Sequence, residues 1–186
     1  MNKQQYIHYI KNYNSLNESD EPILKKLIEQ FAPMQNVVIS IIPFADNADK
    51  AGAMLDCYTY KNQIITKINS LDASGGTNTG DGLRRAYYKL ASYNSDHSGD
   101  EIVNYIILLT DGNPTYRSST NAWSFQAQTG DGNCINVNGT GQETEPNLTN
   151  CMNYVNTIGQ NLVVGGSIDI RTFVIGFSAV PANISR

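Results

Sequence analysis

Two loops in this chain carry residues whose type and spacing could do chemistry. The first is Ser74-Gly75-Gly76-Thr77-Asn78-Thr79-Gly80-Asp81-Gly82. Gly75 and Gly80 have the spacing of the outer glycines of a phosphate-binding loop. However, Asp81 stands where such a loop needs Lys, and Gly82 where it needs Ser or Thr. A carboxylate there repels phosphate, and the segment follows a helical pattern rather than a strand, so a nucleotide site is excluded. The second loop is Thr110-Asp111-Gly112-Asn113-Pro114, directly after the apolar run that ends at Leu109. Asp111 therefore sits just past the C-terminal end of an expected buried strand, where open α/β sheets place their ligands.

If these loops are neighbours, Thr77 and Asp111 bring one hydroxyl and one carboxylate to a common crevice. Hard oxygen donors of this kind suit Mg²⁺, which keeps several waters and needs few carboxylates. The alternative is that Thr77 caps its helix and Asp111 caps a turn. The residues alone leave both readings open.

Other chemistries lack their parts. The only histidines are His8, near a terminus, and His97, in the polar stretch Ser95-Asp96-His97-Ser98, and both read as solvated surface. No Gly-x-Ser-x-Gly nucleophile elbow occurs, so a hydrolase is not expected and the chain reads as a non-enzyme. The cysteines are Cys57, in an apolar stretch, and Cys134 and Cys151, which bracket a Gly/Asn-rich loop. A Cys134–Cys151 disulfide is the expectation; it would close a loop of about 17 residues and contribute roughly 3 kcal/mol through chain entropy. No Cys-x-x-Cys or Cys/His cluster points to zinc. Asn17, Asn138, Asn147 and Asn183 begin glycosylation sequons, which matter only where a secretory glycosylation machinery acts.

The elements that must position these residues follow from periodicity. Ser19-Asp20-Glu21-Pro22 is a helix start, followed by Ile23, Leu24, Leu27, Ile28 and Phe31 at helical spacing, with Pro33 as the stop. Val37–Phe44 and Ile102–Thr110 are β-branched runs apolar on both faces, the mark of buried parallel strands. A third such strand is expected over Ile168–Phe177. A short strand is expected over 52–58, with helices over 60–71, from Leu83 to Ala91, and from Cys151 to Leu162. Residues 94–100 read as a polar loop, and 115–148 as a long loop insertion without regular structure. The tetrapeptide Thr-Gly-Asp-Gly occurs at Thr79–Gly82 and again at Thr129–Gly132, which reads as coincidence.

Alternating strands and helices imply an α/β fold: a doubly wound, mostly parallel sheet with helices on both faces, in one domain spanning 1–186. The chain is 186 residues long, enough for one buried core. Its net charge is −4 with no basic block, which argues against nucleic acid and anionic membranes as partners. No apolar run approaches the roughly 20 residues that span a bilayer, and the N-terminal residues lack the apolar core of a signal peptide.

The motifs resemble those of the von Willebrand factor type A domain family. The resemblance is carried by Ala73 to Leu83, by Ile106 to Pro114, by the strand ending Ile42-Pro43-Phe44-Ala45, and by Thr172-Phe173-Val174-Ile175-Gly176-Phe177. It covers roughly residues 20 to 178. It implies a Rossmann-like sheet with a metal-ion-dependent adhesion site at its C-terminal edge, to which Thr77 and Asp111 would belong. The family's Asp-x-Ser-x-Ser motif, at the end of the central strand, is absent; the nearest polar sets are Asn12/Asn14/Ser15 and Asn17/Ser19/Glu21. Two readings follow. The chain is truncated at both ends and lacks its central strand, or Tyr6-Ile7-His8-Tyr9-Ile10 replaces that strand beside a degenerate metal site.

The Cys-bracketed loop and the Ile-Pro-Phe strand end resemble von Willebrand A proteins of bacterial pili and surface assemblies. The resemblance implies an adhesion module that captures a protein ligand, with Mg²⁺ or another divalent cation bound weakly or not at all by this chain. Its alternative is a metal-independent structural module. Either belongs at the cell surface or outside it, as part of a longer protein. The loop aromatics Tyr116, Trp123 and Phe125 are candidate partner contacts, or else a small core beneath their own loop.

Overall fold

The computed structural model describes residues 4–12, 20–71, 75–110, 112–121 and 127–176, with side chains from residue 24 onward. Its main sheet has five strands: β1 (Gln4–Asn12), β2 (Val37–Phe44), β3 (Leu55–Asp56), β4 (Ile102–Thr110) and β7 (Ile170–Gly176). Their order is β3-β2-β1-β4-β7. β1 pairs in parallel with both β2 and β4, and β4 in parallel with β7; only the short edge strand β3 is antiparallel. The central position is thus filled by the Tyr6–Ile10 segment. The reading in which the central strand is missing is overturned, because β1 supplies the backbone partners that β2 and β4 need.

Alternation along the strands builds two cores. Ile42, Phe44, Ile106 and Leu108 face α3 (Thr79–Asp96) and α4 (Asn147–Ile158), where Leu83, Ala86, Tyr87, Leu90, Tyr154 and Ile158 meet them. Val37, Ile39, Ile41, Ile107 and Leu109 face α1 (Asp20–Phe31) and α2 (Lys61–Asn69), against Leu24, Ile28, Ile64 and Ile68. Helices therefore cover both faces, as the doubly apolar strands require. β7 departs from expectation: Phe173 and Val174 are 55% and 63% exposed, so it is not a third buried strand.

Several boundaries also shift. The strand expected over 52–58 shrinks to two residues, and α3 runs on to Asp96. His97 is half-buried rather than solvated. Its ring stacks on Tyr93 at 3.9 Å and its Nδ1 lies 2.9 Å from the Tyr93 carbonyl oxygen. The expected loop over 115–148 carries a second sheet, β5 (Tyr116–Ser119) antiparallel to β6 (Asn136–Gly139). A π-helical turn, Gly159–Val164, follows α4.

The first turns of α3 are buried on every side, charges included: Asp81 and Arg84 are 0% exposed and Arg85 2%. Arg84 donates from Nε (2.8 Å) and Nη2 to Asp81 Oδ1, and from Nη1 to the carbonyls of Gly130 and Gly132 (2.9 Å). The other Asp81 oxygen accepts from the Ala48 amide at 2.7 Å. Arg85 holds the Asp131 carbonyl at 2.6 Å and the Asn133 side chain at 3.1 Å. The second Thr-Gly-Asp-Gly segment is therefore clamped by the two arginines that follow the first. Replacing Arg84 by Met should cost about 3–5 kcal/mol in urea denaturation, because Asp81 stays buried and uncompensated. A loss below about 1 kcal/mol would show that the pair is solvated.

Gly80 is required by packing: a Cβ there would lie 2.5 Å from the Tyr154 ring. Tyr154 itself is fully buried, and burial followed by the Asp81 charge pushes its ionisation upward.

The expected Cys134–Cys151 disulfide is not formed; all three cysteines are free thiols. Cys134 Sγ donates to Ser118 Oγ at 2.9 Å and Cys151 Sγ to Asn147 Oδ1 at 3.7 Å, so each is engaged by its own neighbour. Cys57 donates to the Ile28 carbonyl at 3.8 Å, and burial, then Asp56, pushes it up to about 11. Burial raises the other two as well. Denatured, non-reduced protein should titrate three thiols per chain, and native protein at pH 8 should alkylate slowly, because little thiolate forms. One thiol per denatured chain would restore the disulfide.

Candidate functional site

Because β1, β2, β4 and β7 are parallel, their last residues Asn12, Phe44, Thr110 and Gly176 share one edge of the sheet. The Gly-Gly-Thr loop lies against this edge. Gly75 has φ +86°, a left-handed conformation that glycine adopts freely. At Gly76 a Cβ would sit 2.1 Å from the Tyr116 ring. The Gly76 amide donates to Asp46 Oδ1, and the Asn78 amide to the Ala45 carbonyl at 2.7 Å, so the loop is laid over the turn after β2.

Thr77 is 4% exposed. It does not cap α3; Asn78 does, accepting from the Asp81 amide at 3.2 Å. The Asn78 side chain also donates to the Asp46 carbonyl (2.8 Å) and Ser118 Oγ (3.0 Å). Thr77 is instead bound through its backbone to the segment after β4. Its amide donates to Thr115 Oγ1 at 2.9 Å, and its carbonyl accepts from the amides of Thr115 (2.8 Å) and Tyr116 (3.1 Å). The two loops picked out in the sequence are neighbours.

Asp111 lies outside the described residues, but the turn around it is described. Thr110 Oγ1 donates to the Gly112 carbonyl at 3.2 Å. Glu143, from the segment before α4, accepts from the Asn113 amide (3.3 Å) and from Asn113 Nδ2 (3.0 Å). Asn147, the first residue of α4, donates to the carbonyls of Thr115 (3.0 Å) and Gln142 (2.8 Å). The 142–147 segment thus ties together the turn that carries Asp111 and the strand that holds Thr77.

Asn12 ends β1, where the resemblance calls for an Asp, and Asn14 and Ser15 lie outside the described residues. Among the described residues no group of three or more His, Cys, Asp or Glu side chains converges. Tyr116 packs its ring against Gly76 and Gly139 and its hydroxyl near Gly141. Trp123 and Phe125 lie outside the described residues.

Asp46, Thr115 and Glu143 escaped the sequence reading. Their roles rest on contacts 30 to 38 residues apart, and only Thr115, directly after Asn-Pro in the Asp111 turn, had a local cue.

The sequence matches the von Willebrand factor type A domain family over residues 18–180, and the chain belongs to that family. No curated protein matches it. Among solved structures, a point variant of the PilB minor pilin from Streptococcus sanguinis superposes with a TM-score of 0.76 at 19% identity, over 96% of this chain and 51% of that one. The pilus adhesin SpaC from Lactobacillus rhamnosus GG gives 0.58 at 17% identity, over 94% and 24%. A von Willebrand factor type A structure from Catenulispora acidiphila gives 0.56 at 13%, over 94% and 33%. The chain spans about half the length of the minor pilin or less of the others. At these identities the likeness is one of fold.

Glu143 is exposed, so Glu143→Ala should change stability by less than about 0.5 kcal/mol. It should nevertheless speed hydrogen exchange at the Asn113 amide severalfold. Unchanged exchange there would mean that Glu143 does not hold the turn.

Proposed function

We propose that this chain is the adhesion module of a larger pilus- or surface-associated protein, capturing a protein ligand at the C-terminal edge of its sheet. The observation that carries this reading is the backbone tie between Thr77 and the Thr115–Tyr116 segment, which sets the Gly-Gly-Thr loop beside the turn containing Asp111. Support from outside comes from the family, and from the pilus proteins that share the fold.

The metal-ion-dependent site is partial. Thr77 and Asp111 would hold a divalent cation, with water and an acidic group of the partner filling the remaining positions. A bound cation would serve as the electrostatic anchor for that group. The donors fit poorly for tight binding. The sequence has Asn at position 12, where the resemblance calls for Asp, and Asp46 and Glu143 are each engaged by backbone amides. Mg²⁺ prefers carboxylate oxygens, so affinity is expected to be low.

Specificity would come from the loop after Pro114. Trp123 and Phe125 are its candidate anchors, since aromatics bury much area at low entropy cost. Tyr116 instead supports the Gly76 turn from below. The second reading, a metal-independent structural module, is favoured by Asn12 alone.

Calorimetric titration with Mg²⁺ should show weak binding or none. A tight 1:1 site that Asp111→Ala abolishes would overturn the degenerate reading and restore a complete adhesion site. Beads coated with the chain and offered a panel of immobilised proteins separate the two functions. Retention that Trp123→Ala abolishes at unchanged melting temperature is expected of the adhesion module. No retention on any protein, with or without Mg²⁺, would favour the structural one.

A further inference from the structure

A half-open cavity of about 230 Å³ lies at the opposite flank of the sheet, between β2, the edge strand β3 and α2. Its floor is apolar: Ile39, Ile41 and Ile64 are core residues, 1%, 8% and 1% exposed, and Leu55 closes the strand side. Its mouth is the exposed Gly52–Ala53 segment. That segment is fixed rather than loose, because Ser40 Oγ donates to the Gly52 carbonyl at 3.0 Å. By proportion with an apolar cavity of about 150 Å³ that holds benzene, the space holds roughly nine carbon atoms, enough for an eight-carbon chain.

The rim is polar and cationic. Gln63 and Lys67, one helical turn apart on α2, both line the cavity and are both exposed. The Lys67 stem therefore runs along apolar surface while its ammonium stands in water. That ammonium makes no ion pair with a described residue, and the Gln63 amide makes no hydrogen bond with one. The carboxylate on the same edge, Asp56, faces away from Leu55 by strand alternation and accepts from the Thr59 amide at 2.7 Å. An apolar floor with an uncompensated cation at the mouth is complementary to an apolar tail carrying an anionic head.

We propose that this cavity binds a short aliphatic or aromatic carboxylate of about eight carbons, tail against Ile39, Ile41 and Ile64, head between Lys67 and Gln63. The site is independent of the C-terminal edge, since none of its lining residues belongs to the loops that hold Thr77 or Asp111.

Octanoate is the probe, titrated into the full chain while the isoleucine methyl resonances are followed. The expected result is saturable 1:1 binding with shifts at Ile39, Ile41 and Ile64, and weaker binding of octylamine. Lys67→Met, which keeps the apolar stem and removes the charge, should weaken octanoate about two- to five-fold, the range of an exposed ion pair, and leave 1-octanol unchanged. Ala53→Trp, at the exposed mouth, should block both ligands at unchanged melting temperature. The proposal is overturned if millimolar octanoate moves none of these methyls, if octylamine binds as well as octanoate, or if binding survives Ala53→Trp.

Discussion

The arrangement turns on one buried ion pair, Asp81 with Arg84, both fully enclosed at the start of α3. A buried pair is seldom a net source of stability unless its remaining donors and acceptors are also satisfied. Here they are. Both Asp81 oxygens accept, one from Arg84 and one from the Ala48 amide, while Arg84 spreads its other donors over two carbonyls of the 130–132 loop. One carboxylate thereby connects the turn after β2, the first turn of α3 and a distant loop. Its place in that first turn also suits the helix dipole. The Gly-Gly-Thr loop is held between these anchored parts.

A second tier of polar contacts carries this order to the edge of the sheet. Asn78 caps α3 and reaches Asp46 and Ser118; the Thr77 amide donates to Thr115 Oγ1 and its carbonyl accepts from the Thr115 amide; Glu143 and Asn147 tie the segment before α4 to Asn113 and Thr115. Many contacts of this tier run from side chain to backbone. They tie the loop backbones to one another across the edge of the sheet. Such a frame suits a recognition edge, where loops are positioned by a rigid scaffold.

The same polar economy explains the thiols. Cys134 and Cys151 sit in separate hydrogen-bonded settings, Cys134 against Ser118 on the α3 side and Cys151 against Asn147 at the start of α4. Bracketing a loop in sequence says nothing about whether two sulfurs meet, because disulfide geometry is strict. The small sheet of β5 and β6 was hidden for a related reason: its strands of four residues are rich in Ser and Asn and show no apolar alternation.

The sequence by itself determined the layers. Val37–Phe44 and Ile102–Thr110 had to be interior strands because both faces are apolar, and α1 to α4 announced themselves by an apolar stripe at helical spacing. It also marked Thr77 and Asp111, since Gly-Gly and Gly-Asn-Pro flank them as turns. Tertiary structure alone decided that Gln4–Asn12 is the central strand, a segment whose polar residues gave it no interior signature, and that the Thr77 loop touches the Asp111 turn. It also decided that two arginines would be buried, since a charged side chain reads as surface until a carboxylate and distant carbonyls meet it. Local periodicity reports which face a residue turns inward. It cannot report what waits there, because partners 30 to 48 residues away are chosen by the closure of the whole sheet.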